Sequence, residues 1–238
     1  MYCLQTILPH TRTVRYKGMG QMEVVAEQVS EGVSEGVSEG VAEQYITVHM
    51  SDGTSSRIPL LQTSDMFNFD YLPRLAFLHA SDLRNEPFWG IDLESSVMPV
   101  GDDVGRMLDN GYISESICIR HIGVLGDSGI DVGYGVFAEV DIKKGSFIGE
   151  YVGVVFQSSS ESDSCYALNY PCKVGGYVID SNESGNIIRM VNHSDNFNSS
   201  FQNVFHDNLV HVICVSENMQ FYMSTLCVSN MFDLLFCF

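Results

Sequence analysis

Basic side chains are scarce in this sequence. Its 238 residues hold 12 Lys and Arg against 30 Asp and Glu, a formal net charge of −18. A surface of that sign repels phosphate backbones and anionic lipid heads, so direct nucleic-acid binding and membrane-surface binding are not expected. The charge says nothing against a basic peptide partner. Cysteine pairs are also missing. The seven cysteines are odd in number and form no CxxC or CxC pair. That spacing argues against a disulfide framework and against a structural zinc cluster, and no metal site is expected. The N-terminus lacks a charged segment followed by a long apolar run, so no signal peptide is read. An intracellular location, nucleus or cytoplasm, is the expectation. A membrane span is lacking as well. The last 20 residues are apolar, but Gln220, Ser224, Thr225, Ser229, Asn230 and Asp233 interrupt them, and a span needs about 20 predominantly apolar residues. Nothing in the sequence sets an oligomeric state.

What is present is a globular composition, 45% hydrophobic and 18% charged, sufficient for a real core. The acidity is spread over the body. Residues 1–119 carry a net charge of −10 and residues 120–218 a net charge of −7, whereas residues 219–238 hold Asp233 alone. Within residues 1–50, positions 25–44 read VAEQ VSEG VSEG VSEG VAEQ, a V-[AS]-E-[QG] tetrad repeat. A period of four keeps the valines on one slowly drifting helical stripe. Gly32, Gly36 and Gly40 each cost a helix about 1 kcal/mol relative to Ala. The segment is therefore read as low-complexity and disordered, with an acidic interaction helix as the alternative. Residues 51–116 form an irregular prelude to which no chemistry is assigned. Trp89, the sole tryptophan, reads as a core anchor there.

From about Ile117 the pattern becomes β-like. Val136, Ala138, Val140 and Ile142 alternate with polar or aromatic neighbours, Lys143-Lys-Gly supplies a turn, and Ser146 to Phe156 reads as extended. Gly176 to Asp180 and Leu209 to Val215 are further strands. Two constellations could carry chemistry. Val132-Gly-Tyr-Gly-Val-Phe-Ala fits G-x-G-x-x-[GA] formally, but a strand follows the glycines instead of the helix that would hold a pyrophosphate. What remains is a Gly-x-Gly turn, either a place of close ligand approach or an ordinary hairpin entry. Arg189-Met-Val-Asn-His-Ser offers side-by-side donors and acceptors at Asn192 and His193, or else a capped loop.

Taken in order, these segments resemble the SET-domain protein-lysine methyltransferases. The resemblance runs through Gly133-Tyr-Gly-Val-Phe-Ala, Asp141-Ile-Lys-Lys-Gly-Ser-Phe-Ile-Gly-Glu-Tyr-Val-Gly, Cys165-Tyr166, Tyr177-Val-Ile-Asp and Arg189-Met-Val-Asn-His-Ser. It implies a mainly β fold of several small sheets at 117–218, preceded by the irregular acidic N-terminal region. It implies S-adenosylmethionine as cofactor and methyl transfer to a lysine of a histone or non-histone protein. Val132, Gly133 and Tyr134 would meet the methyl donor, Tyr166 would lie beside it, and Asn192 and His193 would anchor it. Tyr151 would line the lysine channel as the catalytic residue. The resemblance stops near Asn218. The family's Gly-Glu-Glu-Leu run and its Asp-Tyr-Gly, whose tyrosine serves the active site, have no counterpart in residues 219–238, a divergent apolar tail. A truncated product or a catalytically impaired binding module is the alternative expectation.

Overall fold

The computed structural model describes residues 43–78, 98–124, 131–157, 164–171, 176–207, 209–217 and 225–228, together with the backbone of three short strands at 5–7, 11–14 and 22–24. The tetrad repeat through Val41 and Trp89 lie outside the described residues.

The chain is mostly strand, arranged in several small sheets, as the fold expectation has it. One four-stranded sheet runs in the order Tyr134–Ala138, Ile117–His121, Tyr45–His49, Ser55–Pro59. Its central pair is parallel, with Val48 opposite Ile119. Tyr45–His49 falls in the stretch read as lacking fixed structure, and it is instead an inner strand. Ile46 and Val48 alternate onto the buried face at 3% and 0% exposure, the two-residue period that side chains of a half-buried strand require. A second sheet packs Phe147–Glu150 against Leu209–Ser216, then Ser199–His206, then Cys227–Val228 and Asn192–His193. A third runs Ala167–Asn169, Tyr177–Asp180, Val154–Gln157 and Ala76–Phe77. Asp70–Tyr71 pairs in parallel with Ser184–Gly185.

The prelude and the strand just before it are thus woven into the later strands through Tyr45–His49, Ser55–Pro59, Asp70–Tyr71, Ala76–Phe77 and Met98–Pro99, the last paired to Ser199–His206. Part of the apolar tail is woven in too. Cys227–Val228 pairs in parallel with Asn192–His193, Leu226 N–H donates to the Val136 carbonyl at 2.9 Å, and Leu226 has no exposure at all. A continuous core links these sheets through Ile119, Val136, Ile148, Ile179, Ile187, Ile188 and Leu226. Each such buried side chain contributes about 1.5–3 kcal/mol relative to exposure.

The extended segment read from Ser146 to Phe156 is broken between Glu150 and Val154. A Cβ at Gly153 would sit 2.5 Å from the Asp180 carbonyl oxygen, so the bend depends on the missing side chain. Likewise the alternation through Ile142 holds as strand only to Ala138; Val140 is 51% exposed. The Asp102–Asp109 helix caps the second sheet, with Val104 and Leu108 against Val204, Ile213 and Val215. Asp102 and Asp103 in its first turn suit the positive end of the helix dipole. No helix among the described residues is long and apolar enough to cross a membrane.

Candidate active site

The Gly-x-Gly turn uses its two glycines for different reasons. Gly133 sits at φ +76°, a conformation that L side chains rarely adopt, and a Cβ there would meet nothing. Gly135 has an ordinary strand backbone but no room. A Cβ would approach Asn192 Nδ2 to 2.5 Å and Ile122 Cδ1 to 2.9 Å. The turn is held from below by Asp131, whose carboxylate accepts the Gly133 N–H at 2.9 Å. That bond and the His121 ring hold the Asp131 carboxyl below its ordinary range. Val132 is 40% exposed at the mouth of the turn.

Tyr134 is fixed by three neighbours. Its ring meets Phe67 edge-on at 5.0 Å and His121 at 5.1 Å, and its hydroxyl reaches Met50 Sδ at 3.8 Å. Phe67 comes from the prelude and Met50 from the residue just before it, where composition gave no sign of a role.

Asn192 and His193 extend alongside Cys227–Val228. Asn192 N–H donates to the Leu226 carbonyl at 3.2 Å, and Ser194 N–H donates to the Val228 carbonyl at 3.1 Å. The capped-loop alternative for this motif gives way to a short parallel strand. The His193 ring is exposed. Asn192 Nδ2 is buried and has no hydrogen-bond partner among the described residues. A buried amide donor left unpaired costs about 1–3 kcal/mol, so this atom is poised for an acceptor.

A second group gathers at the end of the Phe147–Glu150 strand. Tyr151 is 4% exposed, and its hydroxyl donates to the Tyr166 carbonyl at 2.7 Å. Burial pushes its phenol far above the ordinary range, with the nearby Arg189 charge opposing the shift, so the hydroxyl keeps its proton. Phe201 meets its ring edge-on at 5.4 Å. The same Tyr166 carbonyl also accepts the Ser181 N–H at 3.0 Å. The Tyr166 ring carries the Arg189 guanidinium at 3.7 Å from its centroid.

Of the sequence-derived residues, the structure therefore pairs Tyr151 with Tyr166 and sets the 132–135 turn against Asn192. The Ile187–Met190 turn links the groups: it lies against the Tyr134–Ala138 strand, carries Arg189, and leads through Val191 into Asn192. Phe67, Phe69 and Met50 are the site neighbours that the sequence reading missed. Among the described residues no group of three or more His, Cys, Asp or Glu could hold a metal ion.

Comparison with known proteins bears on the family and the fold. A family model described as the SET domain matches residues 133–226. "Putative histone-lysine N-methyltransferase ASHH4" of Arabidopsis thaliana is 36% identical over 78 residues, covering 29% of this chain. The chain spans 22% of that relative's length. Among solved structures, ATXR5 in complex with histone H3.1 matches with a TM-score of 0.54 at 16% identity, over 71% of this chain and 84% of that one. The ATXR5 SET domain in complex with di-methylated histone H3 matches with a TM-score of 0.53, at the same identity and coverage. These structures share the fold. The family match runs to Leu226, past Asn218, where the motif resemblance ends. Residues 133–226 of this chain thus carry a SET domain.

Proposed function

We propose that this protein transfers a methyl group from S-adenosylmethionine to a lysine side chain of a protein, in the nucleus, with a basic histone-like tail as substrate class. The observation that carries the reading is the buried Asn192 amide, without a partner among the described residues, packed against Gly135 beside the open Gly133. A donor of this kind suits a carboxylate or an adenine edge. The positive-φ glycine leaves backbone exposed for close approach, so the residues present fit the cofactor. Val132, Gly133, Tyr134, Asn192 and His193 would hold it, with Tyr166 beside it. When bound, the cofactor supplies an electrophilic methyl on a sulfonium.

The chain's own residues supply alignment and a dry environment. A lysine amine has a pKa of about 10.4 in water and must arrive uncharged. The apolar surroundings of Tyr151 and Phe201 disfavour the ammonium form. Because the Tyr151 hydroxyl donates to the Tyr166 carbonyl, its oxygen lone pairs are left to accept from an incoming amine N–H and orient it. Aromatic faces also favour a methylammonium product. The relatives are named for histone-lysine methylation and for histone complexes, which supports a lysine-bearing protein. The net charge of −18 complements a basic tail and opposes direct binding of nucleic acid or a membrane surface.

Calorimetry with S-adenosylmethionine, followed by a radiolabelled transfer assay on a histone H3 peptide, tests the reading. Binding lost in Asn192→Ala together with transfer in the wild type is expected. Binding without transfer would mark a non-catalytic module instead, and absence of binding would overturn the proposal.

A further inference from the structure

Arg189 occupies an unusual position for a charged side chain. Its guanidinium lies 3.7 Å from the Tyr166 ring centroid and 5.0 Å from the Phe69 ring centroid, so two rings share one charge. Its Nη1 donates to the Asn182 carbonyl at 2.7 Å, and no carboxylate pairs with it among the described residues. Both contacts are within the range of about 6 Å over which a ring face attracts a cation. An arginine can do this with two rings at once, because its charge is spread over a plane; a lysine ammonium is a compact point charge and cannot.

Phe69 is delivered to this place by a specific backbone feature. Asn68 ends the Thr63–Phe67 helix in the left-handed conformation, φ 53°, a region that Asn tolerates better than most residues. The reversal sends Phe67 to Tyr134 and Phe69 to Arg189. The chain is then stitched to the site's own segment. Asp70 N–H donates to the Glu183 carbonyl at 2.8 Å and Leu72 N–H to the Gly185 carbonyl at 2.6 Å. One ring of the pair is thereby fixed to the prelude and the other is that of Tyr166, whose carbonyl holds the Tyr151 hydroxyl.

We infer that Arg189 is a positioning residue for methyl transfer: clamped by Phe69 and Tyr166, it fixes Tyr166 so that the Tyr151 hydroxyl is held in the orientation that aligns the substrate amine. The inference rests on the proposed methyltransferase reading. It makes the prelude a working part of the site, with Phe69 as the second ring of the clamp. Neither Arg189 nor Phe69 need touch the reacting atoms; both act through Tyr166.

The test compares Arg189→Lys, which keeps the charge and loses the plane, with Arg189→Met and Phe69→Leu, in the full chain. A misplacement of about 1 Å at a reacting centre costs about a hundredfold in rate. All three variants should lower kcat by about ten- to a hundredfold, while KM for a histone H3 peptide changes far less. Arg189→Lys should recover little of the loss. Recovery of wild-type kcat by Arg189→Lys would show that charge alone matters and would overturn the clamp, and so would an unchanged kcat in Phe69→Leu. A second measurement stands whether or not the variants fold and whether or not the chain transfers methyl groups. In 1H–15N correlation spectra of the wild type, the Arg189 side-chain N–H protons should lie upfield, shifted by the ring currents of two aromatic rings, and should move downfield in Phe69→Leu or, if that variant unfolds, in Phe69→Met, which also lacks the ring. Ordinary arginine shifts in the wild type would overturn the clamp by themselves. Absence of transfer in a wild type that shows the shifted signal would instead sink the methyltransferase reading and leave the clamp as geometry.

Discussion

Glu150 and Tyr151 are sequence neighbours, both almost fully buried, yet they belong to opposite kinds of environment. Glu150 is 3% exposed and meets His211 Nδ1 at 2.6 Å. The His211 Nε2 faces the His206 carbonyl at 3.3 Å, and His206 Nε2 meets Asp109 at 2.8 Å. The side chains on that face can be charged. Tyr151 faces Phe201 and the Tyr166 carbonyl, with the Arg189 charge held on the Tyr166 ring and the Asp180 carboxylate nearby. The alternation of a strand separates the two faces by a single residue. The ionisable face ties the edge helix to the sheet, and the aromatic face holds the candidate chemistry. A change on one face should therefore disturb stability and a change on the other should disturb activity.

The largest expected effect breaks the ionisable face. His211→Ala leaves the Glu150 carboxylate buried without its partner, and such a loss costs about 3–5 kcal/mol. Denaturant unfolding should show it, and Glu150→Gln in the same background should restore much of it. A loss below about 1 kcal/mol would place Glu150 in water and dissolve the contrast. Next comes Tyr151→Phe. Transfer should drop about a hundredfold, while stability falls by only about 1 kcal/mol, since the Tyr166 carbonyl keeps the Ser181 N–H. Gly135→Ala should follow, because its new Cβ would displace the Asn192 amide: calorimetry should find cofactor affinity weaker by about tenfold, some 1.4 kcal/mol.

A smaller effect is carried by pH. The Glu150 carboxylate and the His206 carbonyl raise the His211 ring above its ordinary value of 6.5, outweighing a burial effect that lowers it. A raised value in the folded state means that the pair's contribution is complete below about pH 6.5 and is lost as pH rises through the folded value. Melting temperature should therefore decline with pH across that window, and His211→Asn should flatten the decline. The aromatic face adds no slope near neutrality, because the Tyr151 phenol is pushed far upward. Smallest is the thiol contrast. Burial pushes Cys118 to about 11 and Cys214 to about 12, whereas Cys165 is exposed beside Tyr166. Peptide mapping after brief maleimide treatment should find Cys165 modified and those two intact.

The aromatic face was far more legible in the sequence than the surroundings that hold it. Gly133, Gly135, Tyr151, Asn192 and His193 stand inside short motifs whose residue types announce turns, strands and donors. The strands at 134–138, 177–180 and 209–216 are visible because β-branched and aromatic residues alternate there. Ser199–His206 escaped notice because Ser-Ser-Phe-Gln-Asn-Val-Phe-His has no clean alternation; its pairing with Leu209–Ser216 is imposed from outside. Phe67 and Phe69 could not be found by pattern, since their placement depends on one left-handed Asn between them. Leu226 could not be found either. In isolation it is an apolar residue in an apolar tail, and only pairing to Asn192 and Val136 gives it a position. Long-range partners of this kind leave no local periodicity to read.

The short Thr225–Val228 segment bears on how the site comes into being during synthesis. It bridges the strand of the glycine turn, through Val136 and Phe137, and the Asn192–His193 strand. Every other element of the site leaves the ribosome earlier. The backbone bridge between the glycine-turn strand and the Asn-His strand must wait until Val228 has emerged. Contacts that reach so far back along a chain are slow to form, and a growing polypeptide paused before that point would expose the apolar surface that Leu226 later covers. The four residues that close the sheet also decide when the candidate site first becomes complete.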